Sequence, residues 1–410
     1  MWALVVKAPT FGTMPARVFI TDPHRRTASG HPWIFDSQVV RSEGDFAPGD
    51  VVEVVDVKKG PLGLAFINPK SVIRLRMLTR DVRAAVNEDL IRHRVRSAWL
   101  HRQRLGYDGS CRVVFGESDG LPALIVDRFV DADDPTDCIL SIQTLALGMD
   151  RWKDVVADEL RALFDPRGIY ERNDVPVREK EGMQQHAGPL GKAFDSRITI
   201  LENGIRIELD IATGQKTGHF LDQVRNHAAI APISKGARVL DCCTHTGGFA
   251  LHAAHFGARE VTALDISEAA IALARRNAEI NHLQERCDFR VANVFDFLTT
   301  ASRDNARWDV IVLDPPAFAK SKSALENAVR GYKEINLRAL KCLAPGGFLV
   351  TCSCSFHMGP DLFRKTISDA ARDAGKQLRE VYSAGQPSDH PVLLGAPETH
   401  YLKCHILQVV

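Results

Sequence analysis

The residues best suited to chemistry in this chain follow an apolar run in the stretch WDVIVLDPPAF. The run ends at Asp314, and two prolines and an aromatic residue come next. Prolines fix the backbone and hold back the following helix, and an aromatic ring offers a face on which a flat ring can stack. A buried carboxylate without a partner is unfavourable. We therefore predict a loop that binds a base, in which Asp314 hydrogen-bonds a ring nitrogen or amine. The predicted substrate contacts are Pro315, Pro316, Phe318 and Lys320.

Two cysteines in a later apolar run, TCSCSF, offer a second kind of chemistry. Residues i and i+2 of a strand share a face, so Cys352 and Cys354 are predicted to point to the same side. Methylation of cytosine at C5 needs a nucleophile, because a thiolate that adds to C6 makes C5 reactive toward a methyl sulfonium. A carboxylate near N3 then supplies a proton, and Asp314 on the adjacent strand is placed to do so. Buried cysteines also serve as small hydrophobic residues, and we favour that interpretation for Cys352.

A third group of residues suits an adenosine ligand. The paired glycines Gly247 and Gly248 follow the apolar run ARVLDCC and permit close approach of the backbone. They form neither a GxGxxG fingerprint nor a Walker loop with its lysine, which disfavours a dinucleotide or a triphosphate. Asp265 ends the next predicted strand, where a carboxylate can accept hydrogen bonds from ribose hydroxyls. Asn293 follows the third strand, where an amide can meet an adenine amino group. The set predicts an adenosine ligand without phosphates, and S-adenosylmethionine fits.

The elements that must position these residues form an α/β pattern from about residue 208 onward. Apolar runs alternate there with amphipathic segments, which predicts a parallel sheet covered by helices on both faces. Ligands of such sheets bind at the carboxyl ends of the strands. Earlier in the chain, short β-branched runs punctuated by glycine and proline predict a small β-barrel, and an α+β segment follows it. The predicted domains are residues 15–82, 83–195 and 196–410.

Composition narrows the class of protein. A chain of 410 residues is expected to form two or three domains. The nine cysteines include no CxxC pair, which predicts reduced thiols in the cytoplasm and neither a disulfide framework nor a zinc site. No apolar run reaches the roughly 18 residues that a membrane helix needs, and the N-terminus lacks the features of a signal peptide. We therefore predict a cytoplasmic protein with no membrane partner and no metal.

An arginine-rich stretch extends from Arg74 to Arg112, with ten arginines, no lysine and four acidic residues. The planar fork of arginine suits phosphate oxygens. Taken alone, the stretch is more simply a solvated helix face, because a basic patch is only a footprint of nucleic-acid binding.

Six motifs occur in order along the chain: GQKTGHFLDQVRN, TGGFA, LDPPAFAKSK, GYKEINLRAL, CSCS and DHPV...PETHYLK. With them the chain resembles the RlmI-type 23S ribosomal RNA (cytosine-C5) methyltransferases over nearly its whole length. The resemblance implies an N-terminal PUA domain, which is an RNA-binding barrel, in GHPWIFDSQV and GLAFINPKSVIRLRML. It further implies a central domain around GESDGLPALIVDRF and a C-terminal Rossmann-like class I methyltransferase domain.

The resemblance also implies roles for single residues. The catalytic cysteine of the family falls on Cys354 and its strand-end acid on Asp314, while residues 215–223 are expected to fold over the cofactor. His219 stands where the family usually has an aromatic residue. The predicted cofactor-binding residues are Lys216, Thr217, Phe220, Asp241, Thr246, Gly247, Asp265, Ile266, Asn293, Val294 and Asp314.

These features predict an S-adenosylmethionine-dependent methyltransferase that forms 5-methylcytosine in large-subunit ribosomal RNA through a covalent adduct between cysteine and C6. The expected partner is ribosomal RNA, bound by the PUA-like domain and the arginine-rich stretch, and the resemblance is compatible with a homodimer. Two alternatives stay open at this point. One is an RNA guanine-N methyltransferase with no cysteine nucleophile, and the other is a catalytically silent RNA-binding protein of ribosome assembly.

Overall fold

A computed structural model describes residues 15–22, 26–27, 29–318 and 322–410. The predicted substrate contact Lys320 lies outside these ranges. Within them, the strands form four sheets. In the same ranges, no helix has both the length and the apolar composition needed to span a bilayer.

The first sheet gathers the short β-branched runs near the N-terminus. Its strands are β1 (Arg17–Ile20), β2 (Trp33–Ile34), β3 (Val39–Glu43), β4 (Val51–Asp56), β5 (Gly60–Ile67) and β6 (Leu75–Thr79). They are ordered β2-β6-β5-β4-β1-β3, with β1 and β4 parallel and the other neighbours antiparallel. Alternate residues such as Val52 and Val54 build a core inside this sheet, as the period of a half-buried strand requires. Leu64 and Phe66 join the next core along the chain, so the first two predicted domains pack against each other.

The central segment is an α+β unit, as predicted. Its elements are α1 (Glu88–Arg104), β7 (Cys111–Phe115), β8 (Leu124–Val130), β9 (Cys138–Thr144), α2 (Leu147–Asp150), α3 (Lys153–Phe164), β10 (Gly168–Asn173), α4 (Val177–Lys180) and β11 (His186–Pro189). The strands are ordered β11-β10-β9-β8-β7. Asn87 begins α1 as an N-cap, because its side chain accepts a hydrogen bond from the backbone N–H of Leu90.

Several members of the arginine-rich stretch lie inside the protein. Arg102 is fully buried and donates to the backbone carbonyls of Arg112 at 2.9 Å and Asp389 at 2.7 Å. Arg112 in turn forms a two-pronged pair with the buried Asp127, at 2.8 and 2.7 Å. Because Asp389 belongs to the C-terminal domain, these arginines join two domains. These two arginines therefore belong neither to a solvated face nor to an open phosphate-binding surface, and phosphate binding by the exposed arginines of the stretch stays a prediction.

The C-terminal domain contains a two-stranded hairpin and a seven-stranded sheet, most of whose strands are parallel as predicted. Its elements are β12 (Arg197–Glu202), β13 (Ile205–Asp210), α5 (Val224–Ala229), α6 (Ala231–Ser234), β14 (Arg238–Cys242), α7 (Gly248–His255), β15 (Glu260–Asp265), α8 (Glu268–Ile280), β16 (Cys287–Val291), α9 (Val294–Arg303), β17 (Trp308–Leu313), α10 (Leu325–Cys342), β18 (Leu343–Ser353), α11 (Pro360–Asp373), β19 (Leu378–Ala384) and β20 (Lys403–Val409). The sheet order is β16-β15-β14-β17-β18-β20-β19, and β20 runs against its neighbours.

The central strands of this sheet are apolar on both faces, as expected for strands between two helical layers. Val310 and Val312 of β17 face a core shared with α7 and α8, whereas Ile311 and Leu313 face a core shared with α9, α10 and α11. The chain moves outward from β14 to β16 and then returns to β17, so the order reverses between β14 and β17. A crevice for ligands forms at such a reversal. The α/β fold is confirmed, and each sheet lies within one predicted domain range, whose boundaries stay a prediction.

Candidate active site

A cavity of about 410 Å³ opens at the carboxyl ends of the central strands. This volume lies in the range of roughly 300–1,000 Å³ that is typical of small-molecule sites. Most of the predicted site residues line it together, although they come from loops far apart in the chain. These are Lys216, Phe220, Asp265, Ile266, Asn293, Val294, Asp314, Pro315, Pro316, Phe318 and Cys354.

One wall of the cavity suits an adenosine group. The carboxylate of Asp265, at the end of β15, accepts hydrogen bonds from the backbone N–H groups of His245 and Ser267, both at 2.9 Å. These two contacts orient the carboxylate. Ile266 is 74% exposed although it is strongly apolar, and Val294 lines the same cavity. The arrangement offers a polar contact for ribose beside an apolar surface for a flat ring.

Asn293 has a different role from the one expected. Its side-chain oxygen accepts from the backbone N–H groups of Phe295 at 2.9 Å and Asp296 at 3.3 Å, and so caps α9. The oxygen that was expected to accept from an adenine amino group is therefore already used. The amide NH₂ is the group left to donate to a ring nitrogen.

Asp241 lies behind the cavity wall. Its Oδ2 accepts from the hydroxyl of Thr244 at 2.6 Å and from the backbone N–H of Ala250 at 3.0 Å. Burial raises the pKa of Asp241 to about 7. The carboxyl holds the turn between β14 and α7 in place, and direct contact with a cofactor stays a prediction.

Three further predicted cofactor contacts are also outside the cavity wall. Thr217 is buried and donates to the carboxylate of Asp127 in the central domain. Thr246 and Gly247 form the turn that precedes α7. Gly247 has a φ of +96° there, a conformation that favours glycine. These residues shape the loop around the cavity, and their contact with a cofactor likewise stays a prediction.

Asp314 and Asp222 are two carboxyl groups of the cavity with opposite electrostatics. Burial, and then the charge of Asp222, raises the pKa of Asp314 to about 6. Gln223 donates to Asp314 at 2.9 Å. Burial alone would also raise the pKa of Asp222, but Lys216 at 2.6 Å and the hydroxyl of Tyr401 at 2.6 Å hold it well below its usual range. Asp314 is therefore the carboxyl that can carry a proton near neutral pH.

The two cysteines of β18 and its end are separated by the structure. Cys352 is fully buried in the core, opposite Cys404 on β20. Cys354 lies one residue beyond the end of the strand at Ser353 and lines the cavity. The prediction that both thiols point to the same side was wrong. Residues i and i+2 share a face only within a strand, and β18 ends at Ser353, before Cys354. Burial, followed by the charge of Asp314, raises the pKa of the Cys354 thiol, so the resting group is a thiol.

The aromatic residue of the loop is supported from behind. The ring of Phe318 lies with its centroid 4.6 Å from that of Tyr332. The Tyr332 hydroxyl lies 2.9 Å from the hydroxyl of Ser355 and accepts from that of Ser353 at 3.0 Å. The chain that carries Cys354 is therefore joined to α10 on both sides of the cysteine, and Phe318 rests on the same tyrosine.

Sequence reasoning gave no individual role to about half of the residues in the cavity wall, although three of them lie in the segment 215–223 that was expected to cover the cofactor. The additional residues are Gln215, Asp222, Gln223, Cys243, His245, Ser267, Ala292, Phe295, Ile335 and Leu402. Gln215, Asp222 and Gln223 lie in the motif GQKTGHFLDQVRN, so their types and position were available as a signal. Leu402 immediately precedes β20 and lies in the motif PETHYLK, but an apolar residue there carries no chemistry that would assign it to the cavity.

A buried cluster of histidines surrounds Glu202 beside the site. The carboxylate lies 2.7 Å from His219 and 2.6 Å from His227. Burial alone would raise the pKa of Glu202, but His227 and His219 hold it well below its usual range. Glu202, His227 and His252 are close enough to share a metal ion, although both carboxylate oxygens already meet an imidazole at hydrogen-bond distance. His219 thus belongs to this cluster and not to the cavity wall.

Comparisons with known proteins agree with this architecture. Residues 190–397 match the model of an S-adenosylmethionine-dependent methyltransferase family, and residues 23–80 match that of a PUA-like domain. A protein of Cronobacter sakazakii named Ribosomal RNA large subunit methyltransferase I is 39% identical, over 92% of this chain and 96% of that relative. A protein of the same name from Photobacterium profundum is 40% identical, over 91% of this chain and 94% of the relative.

Solved structures agree in fold. A crystal structure of a methyltransferase complexed with SAH covers 96% of this chain and 100% of its own, with a TM-score of 0.80 and 19% identity. A second structure, named as that of an S-adenosylmethionine-dependent methyltransferase from Streptococcus mutans, has a TM-score of 0.79 and 20% identity. It also covers 96% of this chain and 100% of its own. At these identities the likeness shows the fold alone.

Proposed function

The chain belongs to the S-adenosylmethionine-dependent methyltransferase family, and within it to the ribosomal RNA large subunit methyltransferase I family, and on that premise we propose that it forms 5-methylcytosine in large-subunit ribosomal RNA. The observation that carries the proposal is the meeting of Cys354 and Asp314 at one cavity, which also contains Asp265. A nucleophile, a proton donor and a ribose contact at one place form the set that C5 methylation needs.

The residues of the cavity divide the reaction between them. Cys354, as a thiolate, adds to C6 of the cytosine and so makes C5 electron-rich. Asp314 donates a proton toward N3, for which its pKa of about 6 is suited. S-adenosylmethionine, when bound, supplies the electrophilic methyl group. Once C5 carries the methyl group, a base removes the C5 proton, and the Cys354–C6 bond breaks with its electron pair on sulfur. The N3 proton returns to the carboxylate of Asp314, so that the thiolate, the acid and the aromatic ring are all restored.

The fit of the cofactor rests on the side chains of the cavity. Among the described residues, Asp265 presents a carboxylate that accepts from two backbone N–H groups, one at each oxygen, so each oxygen has a further lone pair that can accept from a ribose hydroxyl. The exposed apolar side chain of Ile266 gains burial if an adenine ring covers it. Lys216 is held by Asp222 and lies 4.3 Å from the Phe220 ring centroid. These contacts keep the segment 215–223 beside the cavity.

Ribosomal RNA is the proposed partner, and the N-terminal PUA-like domain is the proposed RNA-binding module. A target base must leave its stack to reach an enclosed site of this kind, and Pro315, Pro316 and Phe318 on the cavity wall are proposed to contact it. Because its proposed substrate is ribosomal RNA, the protein is proposed to act in the cytoplasm. A homodimer stays a prediction, for which light scattering during size-exclusion chromatography is the measurement.

A trapping experiment tests the proposal. The protein is incubated with S-adenosylmethionine and an RNA that carries 5-fluorocytidine at the target position, since fluorine at C5 cannot leave as a proton. We expect an adduct that survives denaturing electrophoresis and that peptide mass spectrometry locates on Cys354. Cys354→Ser should form none. Cys352→Ser is the matched control, because it removes a thiol two positions away that lies in the core, and it should still form the adduct.

Each contrary outcome identifies an alternative. An adduct on Cys352 would keep the reaction and reassign the nucleophile. Methyl transfer to ordinary ribosomal RNA without any adduct would favour the guanine-N methyltransferase. Failure to bind S-adenosylmethionine in calorimetry would favour the catalytically silent RNA-binding protein.

A further inference from the structure

The proposed nucleophile lies in a place that disfavours its charged form. Burial raises the pKa of Cys354, and the carboxyls of Asp314 and Asp222 raise it further. The hydroxyl of Tyr332 supplies no positive charge. Burial raises the pKa of Tyr332, and a negative charge on Cys354 raises it as well. A thiolate is nevertheless required for attack on C6. The site therefore needs a positive charge close to Cys354 that is not already consumed by another acid.

Lys216 is the more obvious cation of the cavity, but it is paired. Its ammonium lies 2.6 Å from the carboxylate of Asp222. Lys216 lowers and Asp222 raises the pKa of the Cys354 thiol, so the two members of this ion pair act on the thiol in opposite directions. Their combined effect is smaller than that of either charge alone.

Lys403 is a second cation, at the start of β20, and its surroundings differ. Its side chain is buried, with only 4% of the residue exposed. The ammonium donates to the backbone carbonyls of Ser355 at 2.8 Å and Tyr401 at 2.7 Å. Within the part of the chain that the structure describes, none of the ion pairs joins Lys403 to a carboxylate. Among the described residues, the hydrogen bonds of its ammonium go to neutral carbonyl groups.

The strand pairing directs Lys403 to the cysteine. Ser353, the last residue of β18, pairs with Lys403 in the antiparallel ladder. The ammonium also reaches the carbonyl of Ser355. Lys403 therefore meets the residue before Cys354 through its backbone and the residue after Cys354 through its side chain. Burial lowers the pKa of Lys403 to about 8, and the charge that raises it is that of Cys354. An isolated buried ammonium is unfavourable, and a nearby thiolate would remove that penalty.

We propose that Lys403 is the counter-ion of the Cys354 thiolate and thereby activates the nucleophile. The inference rests on the proposed function, in which Cys354 adds to C6. When the thiolate forms, the S–H bond breaks, its electron pair stays on sulfur, and the proton passes to water in the open cavity. Lys403 acts through Cys354 and touches no reacting carbon, so it is a positioning residue. It also stabilises the thiolate when the Cys354–C6 bond breaks at the end of the cycle.

The pH profile of alkylation tests this pairing without RNA. The full chain is treated with iodoacetamide over a range of pH, and modification of Cys354 is followed by peptide mass spectrometry with fragmentation. Lys403→Gln keeps a donor for the two carbonyls but removes the charge. We expect its alkylation rate near neutral pH to fall about tenfold, since one pKa unit changes the thiolate fraction tenfold. Lys403→Arg keeps the charge and should restore most of the rate.

Two controls separate charge from structure. Lys365→Gln removes an exposed lysine on α11 that pairs with Asp369, and its profile should match that of the wild type. Binding of S-adenosylmethionine by calorimetry should be unchanged in Lys403→Gln, which shows that the cavity is intact. If Lys403→Gln is too unstable to study, Lys403→Arg still tests the proposal. Because arginine keeps the positive charge, its alkylation profile should match that of the wild type, and a clear loss of rate would count against the proposal.

Several outcomes would overturn the inference. One is an unchanged alkylation profile in Lys403→Gln, and another is an equal loss in the glutamine and arginine variants, which would indicate a role in structure alone. Because the assay uses no RNA, it can fail while the fluorocytidine adduct still forms on Cys354. Conversely, absence of that adduct would refute the proposed function and leave the coupling between the lysine and the thiol measurable.

Discussion

Replacement of Asp314 by asparagine should stabilise the protein at neutral pH while it abolishes methyl transfer. The folded state raises the pKa of this carboxyl from its ordinary value of 3.8 to about 6. As pH rises from about 4 to 6, the unfolded chain therefore loses this proton before the folded chain does. The free energy of unfolding falls through that window, and above it the ionised carboxylate imposes a constant penalty on the folded state. Asparagine removes the ionisation and with it the penalty.

The size of the effect follows from the shift. A difference of about two units, at about 1.4 kcal/mol per unit, amounts to about 3 kcal/mol as an upper limit at pH 7.5. The hydrogen bond from Gln223 can be kept, because the amide oxygen of asparagine accepts it as the carboxylate did. Since 1 kcal/mol moves the Tm of a domain of 150–250 residues by roughly 2–4 °C, Asp314→Asn should raise the Tm by several degrees.

Thermal melts of both proteins at two pH values provide the measurement. At about pH 7.5 the variant should melt higher than the wild type, and at about pH 4.5 the difference should largely vanish, because both folded and unfolded wild-type carboxyls then approach the protonated state. A variant that is less stable at pH 7.5, or whose advantage is the same at both values, would refute the argument that Asp314 is held in an environment hostile to its charge.

Three further changes have defined outcomes. Asp265→Ala should weaken S-adenosylmethionine binding about tenfold in calorimetry, since a hydrogen bond to a charged group contributes about 1.5–3 kcal/mol, whereas an unchanged Kd would remove Asp265 from the ribose site. Gln223→Leu should raise the pKa of Asp314 further, because the donor that stabilises the carboxylate is lost, and the alkaline limb of the pH–rate profile should move upward; a downward move would contradict the assignment. His219→Phe should lower the Tm at neutral pH by removing a partner of the buried Glu202, at a cost of about 1–3 kcal/mol, and a neutral or stabilising result would show that His227 suffices.

The sheet and the site were predictable from the sequence to different degrees. The alternation of apolar runs and amphipathic helices identified the order of elements around β14, β15 and β17, since both faces of these strands are buried and period and length then suffice. Strand-end residues such as Asp265 and Asp314 could be placed at one edge because parallel strands share their carboxyl ends. The hairpin β12–β13 was missed, because its alternating residues pack on a helix and on the central domain instead of extending the main sheet.

Pairwise partners could not be read from the sequence. The motif GQKTGHFLDQVRN contains both Asp222 and Gln223, but no pattern in it tells which contacts Lys216 and which contacts Asp314. The interior role of Arg102 was also hidden, since charge and periodicity give the same signal for a solvated arginine and for one bound to a carbonyl 287 positions away. Such contacts depend on the docking of domains, and composition carries no record of it.

The unequal partners of Asp222 and Asp314 explain how one cavity can hold both an ionised acid and a proton donor. Asp222 meets an ammonium and a tyrosine hydroxyl, so its charge is compensated at low pH. Asp314 meets a neutral amide and also senses the charge of Asp222, so its proton is held more tightly. Environments that push the pKa values of two neighbouring carboxyls apart are the means by which sites assign acid and base roles. The proposed donor role of Asp314 is thus supported by its surroundings as well as by its motif. This role requires Lys216 to remain paired with Asp222, and that pairing leaves Lys403 as the proposed counter-ion of the Cys354 thiolate.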